Sequence, residues 1–473
     1  MQRIFMTHAI RSQPIAAQAP QRTRFPLNLV MTLILAGWMA SPSGVQAQLL
    51  VSDPKAASDV PAESPPPPPE VSPSRIRPMT PPQPQGSPYQ LGSFTVYPEI
   101  DVIGGYDSNV YYSNTSPVSD EYLTLSPSIL LQSNWAEHAL NIRAGADFMR
   151  YRDLKDENID DANISVEGRR DISPNMNVYG GGYLSTNHED RESPDVRNGL
   201  TPTRYAQNRF YAGFFRRMGP WSVRVAGNAM KLDYRDVDFV TGGGAIGVIN
   251  NDDRDHWQHT GGVRVAYEWS PELEGYAQVA ADHRRYSDAV DDLGYQRSST
   301  GMRYLIGAKW SIPEKTMMDA YVGHMSQDYD DVRSQDVSKP MVGGKFTWFA
   351  GPRTTLAALV DRTIEETSVT QRTSAGVLNV ASSYVNTYGS LELSHKLSEQ
   401  WSVRAASSLS RVAYQGIVRS DDYRSDSVGV TYKPNRRMIV NVDLIDRRLK
   451  SSLPTENFSK TMAMIRLTFP FMP

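Results

Sequence analysis

WQHTGGVRVAYEW, residues Trp257–Trp269, decides how this chain is read. Trp257, His259, Gly261, Val263, Val265, Tyr267 and Trp269 share one face of an extended strand. Gln258, Thr260, Gly262, Arg264, Ala266 and Glu268 share the other. A period of two sustained this long is a β-strand with one apolar and one polar side. Pro271 then breaks the run, and a second alternating stretch begins at Leu273. A soluble sandwich would bury the apolar side under large residues. Here that side is poor in large residues at mid-strand, while the other mixes Arg and Glu with Gly and Thr. That distribution suits a lipid-facing exterior around a hydrated interior.

The same unit recurs from Phe94 to the end of the chain. In His138–Tyr151, Leu140, Ile142, Ala144, Ala146 and Phe148 oppose Asn141, Arg143, Gly145 and Asp147. Trp221, Val223, Val225, Gly227 and Ala229 alternate with Ser222, Arg224, Ala226 and Asn228, and Val428, Val430 and Tyr432 with Ser427, Gly429 and Thr431. Pro174, Pro220, Pro271, Pro313, Pro352 and Pro434 mark the short turns. Trp135, Trp221, Trp269, Trp310, Trp348 and Trp401 lie at or near such breaks. Amphipathic rings gathered at one level form an interfacial girdle. Short turns centre near residues 136, 173, 219, 271, 313, 351, 399 and 435, and longer polar loops alternate with them. The expected fold is all-β, an antiparallel transmembrane β-barrel of about 18 strands (16–18), with both ends on the short-turn side. At that size the lumen is an aqueous channel unless loops fold into it.

Residues 1–47 read as a signal peptide. Arg3, Arg11, Arg22 and Arg24 precede an apolar core, Phe25–Ala40, and Val45-Gln46-Ala47 suits cleavage after Ala47. Residues 48–92 are a disordered Pro-rich arm containing the run Pro65–Pro69. Fully extended as polyproline II, some 40 residues reach roughly 130 Å, enough for a periplasmic tether or a plain spacer. Residues 93–473 are the barrel. Mean hydropathy of -0.46 is far from a helical membrane protein, but alternation hides the lipid-facing residues of a barrel. Cysteine is absent, so there is no disulfide framework or thiolate site. A net charge of -3 gives no basic bias toward nucleic acid.

The chain ends in a strand with Ala463, Ile465, Leu467, Phe469 and Phe471 on one face and Met464, Arg466 and Thr468 on the other. This resembles the C-terminal signal read by barrel-assembly machinery. Pro470 lacks an N–H, so pairing should end about there. The segment from Phe94 through Pro98 and Tyr106-Asp107-Ser108-Asn109-Val110 to Tyr111 resembles the opening of the "putative beta-barrel porin 2" family. Leu125-Ser-Pro-Ser-Ile-Leu130 and Gly168-Arg-Arg-Asp-Ile-Ser-Pro174 are similar to its following segments. The resemblance covers about 94–473 and implies an outer-membrane barrel, often in the setting of exopolysaccharide production. It implies no catalytic residues.

Parity sends Arg143, Asp147, Glu167, Arg169, Arg224, Arg264, Arg303, Lys309, Asp319, Arg404, Asp443 and Arg466 to the lumen. Fixed cations there attract anions and acidic glycans, and carboxylates moderate the field. Tyr179, Tyr183, Tyr276, Tyr384 and Tyr388 are candidates to stack on sugar rings. An outer-membrane hydrolase is the rival class. However, no Gly-x-Ser-x-Gly elbow or His-Glu-x-x-His pair is present, and His256 and His259 face opposite sides of one strand. The acidic stretches Asn251–Asp255 and Asp328–Asp331 lack the turn Gly and terminal Glu of a calcium loop. No metal site and no cofactor is expected. The expected function is a channel or accessory protein for exopolysaccharide export, with a general diffusion porin as the alternative. Expected partners are outer-membrane lipid and lipopolysaccharide, the barrel-assembly machinery, and a polysaccharide or its export complex.

Overall fold

A computed structural model describes residues 89–193, 195, 199–241, 244–372, 376 and 378–470. The expected leader and most of the Pro-rich arm lie outside these residues. The barrel strands are β1 Phe94–Asp107, β2 Asp120–Ser133, β3 His138–Tyr151, β4 Ile159–Ser173, β5 Met176–His188 and β6 Arg204–Met218. They continue with β7 Trp221–Tyr234, β8 His256–Ser270, β9 Leu273–Tyr286, β10 Ser299–Ile312, β11 Thr316–Tyr329 and β12 Val337–Phe349. The last six are β13 Thr354–Glu366, β14 Ser383–Lys396, β15 Trp401–Gln415, β16 Ser420–Asn435, β17 Met438–Ser451 and β18 Phe458–Pro470. Each pairs antiparallel with the next, and β1 pairs with β18, so the 18 strands close on themselves. No helix among the described residues is long and apolar enough to cross a membrane; the strands are the spanning elements.

Short turns join the strands at the inner end, where β1 begins and β18 stops; long loops join them at the outer end. The alternation sets the two faces. Ile164 and Val166 on β4, Val263 and Val265 on β8, Val442 and Leu444 on β17 and Ile465 on β18 are exposed outward. A one-residue slip would exchange the faces of a whole strand, so this pattern fixes the register. At the β6–β7 turn Gly219 takes φ +61°, a conformation glycine adopts without a Cβ penalty.

Proline decides where the ladder is interrupted. The last β1–β18 pair is Glu99 with Pro470, and Pro98 follows directly on the β1 side. The edge of β1 beyond it is covered by Tyr89–Leu91, which pair with Phe94–Val96. These three residues, assigned to the arm by sequence, therefore join the sheet. A wider interruption separates β12 from β13. They pair only from Gly343–Phe349 to Thr355–Asp361, and Pro340 sits in the unpaired outer half of β12. Beyond Asp361 the outer end of β13 turns inward. Its Ile364 carbonyl accepts from Arg284 of β9, and Glu366 ion-pairs with that same Arg284.

The interior carries two apolar clusters. Leu305, Met325, Val337, Met341, Ile364 and Val385 pack together beneath the β12–β13 interruption. Tyr384, Val412, Tyr414, Tyr423, Leu449 and Phe458 pack nearer the outer loops.

Candidate functional site

Inward side chains come from every second residue, and the register arranges them in rows across the sheet. Near the inner end, Glu274 of β9, Lys309 of β10, Asp319 of β11 and Lys345 of β12 stand side by side with alternating sign. Above them Arg224 of β7 and Arg264 of β8 are direct cross-strand neighbours. Two like charges side by side repel, and each guanidinium finds separate relief. Arg264 donates to Glu274 at 3.3 Å and lies 3.3 Å over the Tyr276 ring, whose hydroxyl donates to Asp319 at 2.6 Å. Arg224 sits 5.4 Å over Phe215. Higher still, Asp282 binds Arg303 at 3.0 Å and Arg284 at 3.5 Å.

The other wall carries the remaining charged candidates. Arg143 is a diagonal neighbour of Glu167, and Arg169 holds Asp171 at 3.0 Å. Ser126 donates to Asp147 at 2.5 Å, Arg404 holds Asp443 at 2.8 Å, and Arg466 lies 3.7 Å from Asp101. These candidates stand in pairs and short rows rather than as one cationic strip. Their accessibility differs. Arg224, Arg264 and Arg303 are buried, whereas the Arg404 and Arg466 side chains keep 32% and 43% of their accessibility. Asp147 of β3 and Lys345 of β12 are exposed as well, whereas Ser425, Arg447 and Lys460, toward the outer ends of β16–β18, are buried.

The tyrosines lie along the wall. Tyr179 covers Gly213 on the next strand so closely that a Cβ added there would stand 2.3 Å from its ring. Tyr321 covers Gly343 in the same way and donates to Asp361 at 2.9 Å. Tyr276 has one face under Arg264, Tyr183 faces Arg209 at 5.7 Å, Tyr384 is buried, and Tyr388 is half-buried. The six tryptophans Trp135, Trp221, Trp269, Trp310, Trp348 and Trp401 are all exposed and lie at the inner ends of the strands.

The outer mouth is crossed by the loop that follows β5. Glu189 binds Arg254 at 2.5 Å, Arg191 binds Glu157 at 2.6 Å, and Glu192 binds Arg447 of β17 at 3.2 Å. Asp195 accepts from the Thr367 hydroxyl at 2.7 Å and the Ser368 N–H at 2.6 Å, in the loop after β13. This one loop thus touches well-separated points of the rim. Burial opposes the charge on Arg254, but Glu189 outweighs it and holds the guanidinium pKa well above its ordinary value. The loop after β7, the longest in sequence, instead forms a hairpin, Val237–Val240 with Ile246–Ile249, that leaves Ile246 and Val248 exposed.

Sequence reasoning missed Glu189, Glu192, Asp195, Arg209, Arg254, Arg284 and Arg447. Most of their partners lie tens to hundreds of residues away, so local spacing does not announce them. His188 contacts Asp161 at 2.7 Å, and His256 is buried against the Arg254 carbonyl. Among the described residues no group of three or more His, Asp or Glu is placed to hold a metal ion. In the acidic stretch at Asp328–Asp331, Asp331 binds Arg333 at 2.6 Å.

The model of the family described as "Putative beta-barrel porin 2" matches residues 80–471. Among solved structures the chain is similar to the copper transporter OprC, with 10% identity over 81% of this chain and 82% of that one, at a TM-score of 0.46. It is also similar to OpdL of Pseudomonas aeruginosa, with 9% identity over 80% of this chain and 99% of that one, at a TM-score of 0.41. OccK3 (OpdO) of the same organism gives 11% identity, 80% and 95% coverage and a TM-score of 0.40. No curated protein matches the chain in sequence.

Proposed function

The chain belongs to the "Putative beta-barrel porin 2" family of the outer membrane, and from that premise we propose that it is a passive channel for polar solutes with weak charge selectivity. The observation that carries this reading is the pairing of inward charges around Arg404 and Arg466, whose side chains keep 32% and 43% of their accessibility. There Arg404 faces Asp443 and Arg466 faces Asp101, so cations and carboxylates alternate. Such a wall offers donors and acceptors to a hydrated or hydroxyl-rich solute without a strong net field. The exposed inner-end tryptophans serve as the interfacial girdle that holds the barrel at its depth. On this reading the protein carries out no chemistry of its own.

Export of an extracellular polysaccharide is the narrower form of the same reading. Its support is the family resemblance and a wall that alternates hydrogen-bond donors with acceptors. A polymer would have to displace the loop tied to Arg447 and Ser368. The purified protein in planar bilayers tests the general reading: stepwise conductance with a cation-to-anion permeability ratio near unity is expected. A folded barrel that never conducts would overturn it. Loss of secreted glycan on deleting the gene supports export, and unchanged secretion removes that narrower role.

A further inference from the structure

The outward face of β6–β9 departs from the rest of the exterior at its outer end. Lys231, Trp257 and Arg285 form one cross-strand row. Directly below, His259 is the cross-strand partner of His283. Trp257 stacks on His259 with ring centroids 5.7 Å apart and planes 5° from parallel. Below the histidines, Ala212, Gly227, Gly261 and Ala281 make a row in which no side chain exceeds a methyl group. A Cβ added at Gly261 would meet nothing within 4 Å, so the barrel's own packing does not require glycine there.

The height of this patch follows from the strand. Trp269 marks the inner interface on β8, and Trp257 lies twelve residues further along on the same face. At about 3.3 Å per residue and a tilt of about 40°, that is a rise of roughly 30 Å against an apolar band of about 25 Å. The cations therefore stand at the outer headgroup level. Gly261, eight residues from Trp269, stands roughly 20 Å up, inside the outer hydrocarbon.

We propose that this patch is a binding site for a phosphorylated glycolipid of the outer leaflet. Its phosphate is held by Arg285, His283, His259 and Lys231, and one acyl chain lies in the smooth trough over Gly227 and Gly261. Charge complementarity selects the occupant. On the exterior of β15–β17, by contrast, cations are matched by carboxylates: Arg411 with Asp422 at 2.7 Å, Arg424 with Asp426 at 2.6 Å, Arg448 with Asp446 at 2.7 Å. Within the patch, Lys231 contacts Asp233 and His283 contacts the Thr300 hydroxyl at 3.2 Å. Arg285 is exposed and makes no ion pair with any described residue. A guanidinium at headgroup level binds phosphate with two parallel N–H donors.

The test is native mass spectrometry of the purified full chain titrated with bisphosphorylated lipid A, with heat modifiability on gels confirming a folded barrel. Arg285→Ala combined with His283→Ala should weaken binding at least tenfold. Gly261→Leu, which leaves every charge in place, should weaken it comparably by filling the trough. Arg424→Ala should change nothing, and dephosphorylated lipid A should bind the wild type as poorly as lipid A binds the double variant. Wild-type affinity in a folded double variant would overturn the site. Unchanged affinity in Gly261→Leu, or equal binding of inorganic phosphate alone, would overturn the lipid as its occupant.

Discussion

Asp195 is the most economical place to ask whether the loop after β5 controls the mouth. Its carboxylate is 5% exposed and takes hydrogen bonds from the Thr367 hydroxyl, the Ser368 N–H and the Ser368 hydroxyl, at 2.7, 2.6 and 3.2 Å. Asp195→Ala removes all three and leaves the donors beside a small void that water can enter. Bonds to a charged acceptor contribute about 1.5–3 kcal/mol each, but three on one oxygen are not additive, so a net loss of about 2–4 kcal/mol is expected. At about 1.4 kcal/mol per factor of ten, the untied loop becomes roughly 30- to 700-fold more populated relative to the tied one. The ties through Glu189 and Glu192 remain, so the barrel itself keeps its fold. Single-channel recording in planar bilayers reads the outcome: more frequent openings or a larger mean conductance, with Asp195→Asn intermediate because its amide oxygen still accepts. A folded Asp195→Ala barrel with wild-type conductance and gating would refute the reasoning.

The lining and the rim make further predictions. Arg404→Glu places two carboxylates together on an accessible stretch of the wall, so reversal potentials in asymmetric KCl should move toward cation selectivity. The same change at buried Arg264 should act mainly on stability. Gly213→Val drives a methyl into the Tyr179 ring and should destabilise the barrel by about 1–3 kcal/mol, seen as a lower melting temperature. Adding Tyr179→Ala should restore part of that loss, and no restoration would mean that the contact is not the cause. At the outer rim, burial pushes the Asp255 carboxyl up from 3.8 to about 6, against the N–H bond it receives from Tyr234. Its raised value means that the folded state keeps a proton the unfolded chain gives up between about pH 4 and 6. This contribution is therefore complete below that window and lost as pH rises through it. Asp255→Asn should show a smaller fall in melting temperature from pH 4 to pH 7 than the wild type; equal falls would remove Asp255 from the account.

The sheet was legible because its signal is local. A period of two, broken by Pro220, Pro271 or Pro313 beside a tryptophan, states where a strand ends and which face meets lipid, and closure of 18 such strands follows from the count. Pro470 likewise announced the end of pairing, since a missing N–H needs no context. The lining was legible only as parity. That Arg264 would lie on Tyr276, or Tyr179 on Gly213, depends on which strands are neighbours and in what register. Of the tyrosines offered as candidates to stack on sugar rings, Tyr179, Tyr183 and Tyr276 pack on glycine, guanidinium or carboxylate partners across the strand. The mouth was least legible. The loop after β7 is the longest, but length measures reach, not attachment. The shorter loop at 189–203 crosses because its carboxylates find Arg254, Arg447 and Ser368, and no spacing within the loop encodes those partners.

A cylinder of 18 strands is wide enough to hold open water, yet side chains pack inside this one, and β13 explains why. Pro340 cannot donate a ladder hydrogen bond, and pairing between β12 and β13 stops at Gly343 with Asp361. Released from its neighbour, the outer end of β13 gains more by turning inward. There Glu366 meets Arg284, and Ile364 joins Met325, Met341 and Val385. Burying an isoleucine this way contributes about 1.5–3 kcal/mol, and the ion pair satisfies a guanidinium that is otherwise sealed from water. The consequence is a lumen packed where the outer end of β13 meets β9–β12, while Arg404 and Arg466 keep 32% and 43% of their side-chain accessibility. Selectivity should accordingly answer to Arg404, Asp443, Arg466 and Asp101. Charge changes at Arg264 or Lys309 should register first as stability. If substitutions at both groups altered permeation alike, the packed region would have to be open in the membrane, and the inward turn of β13 would not be the arrangement that conducts.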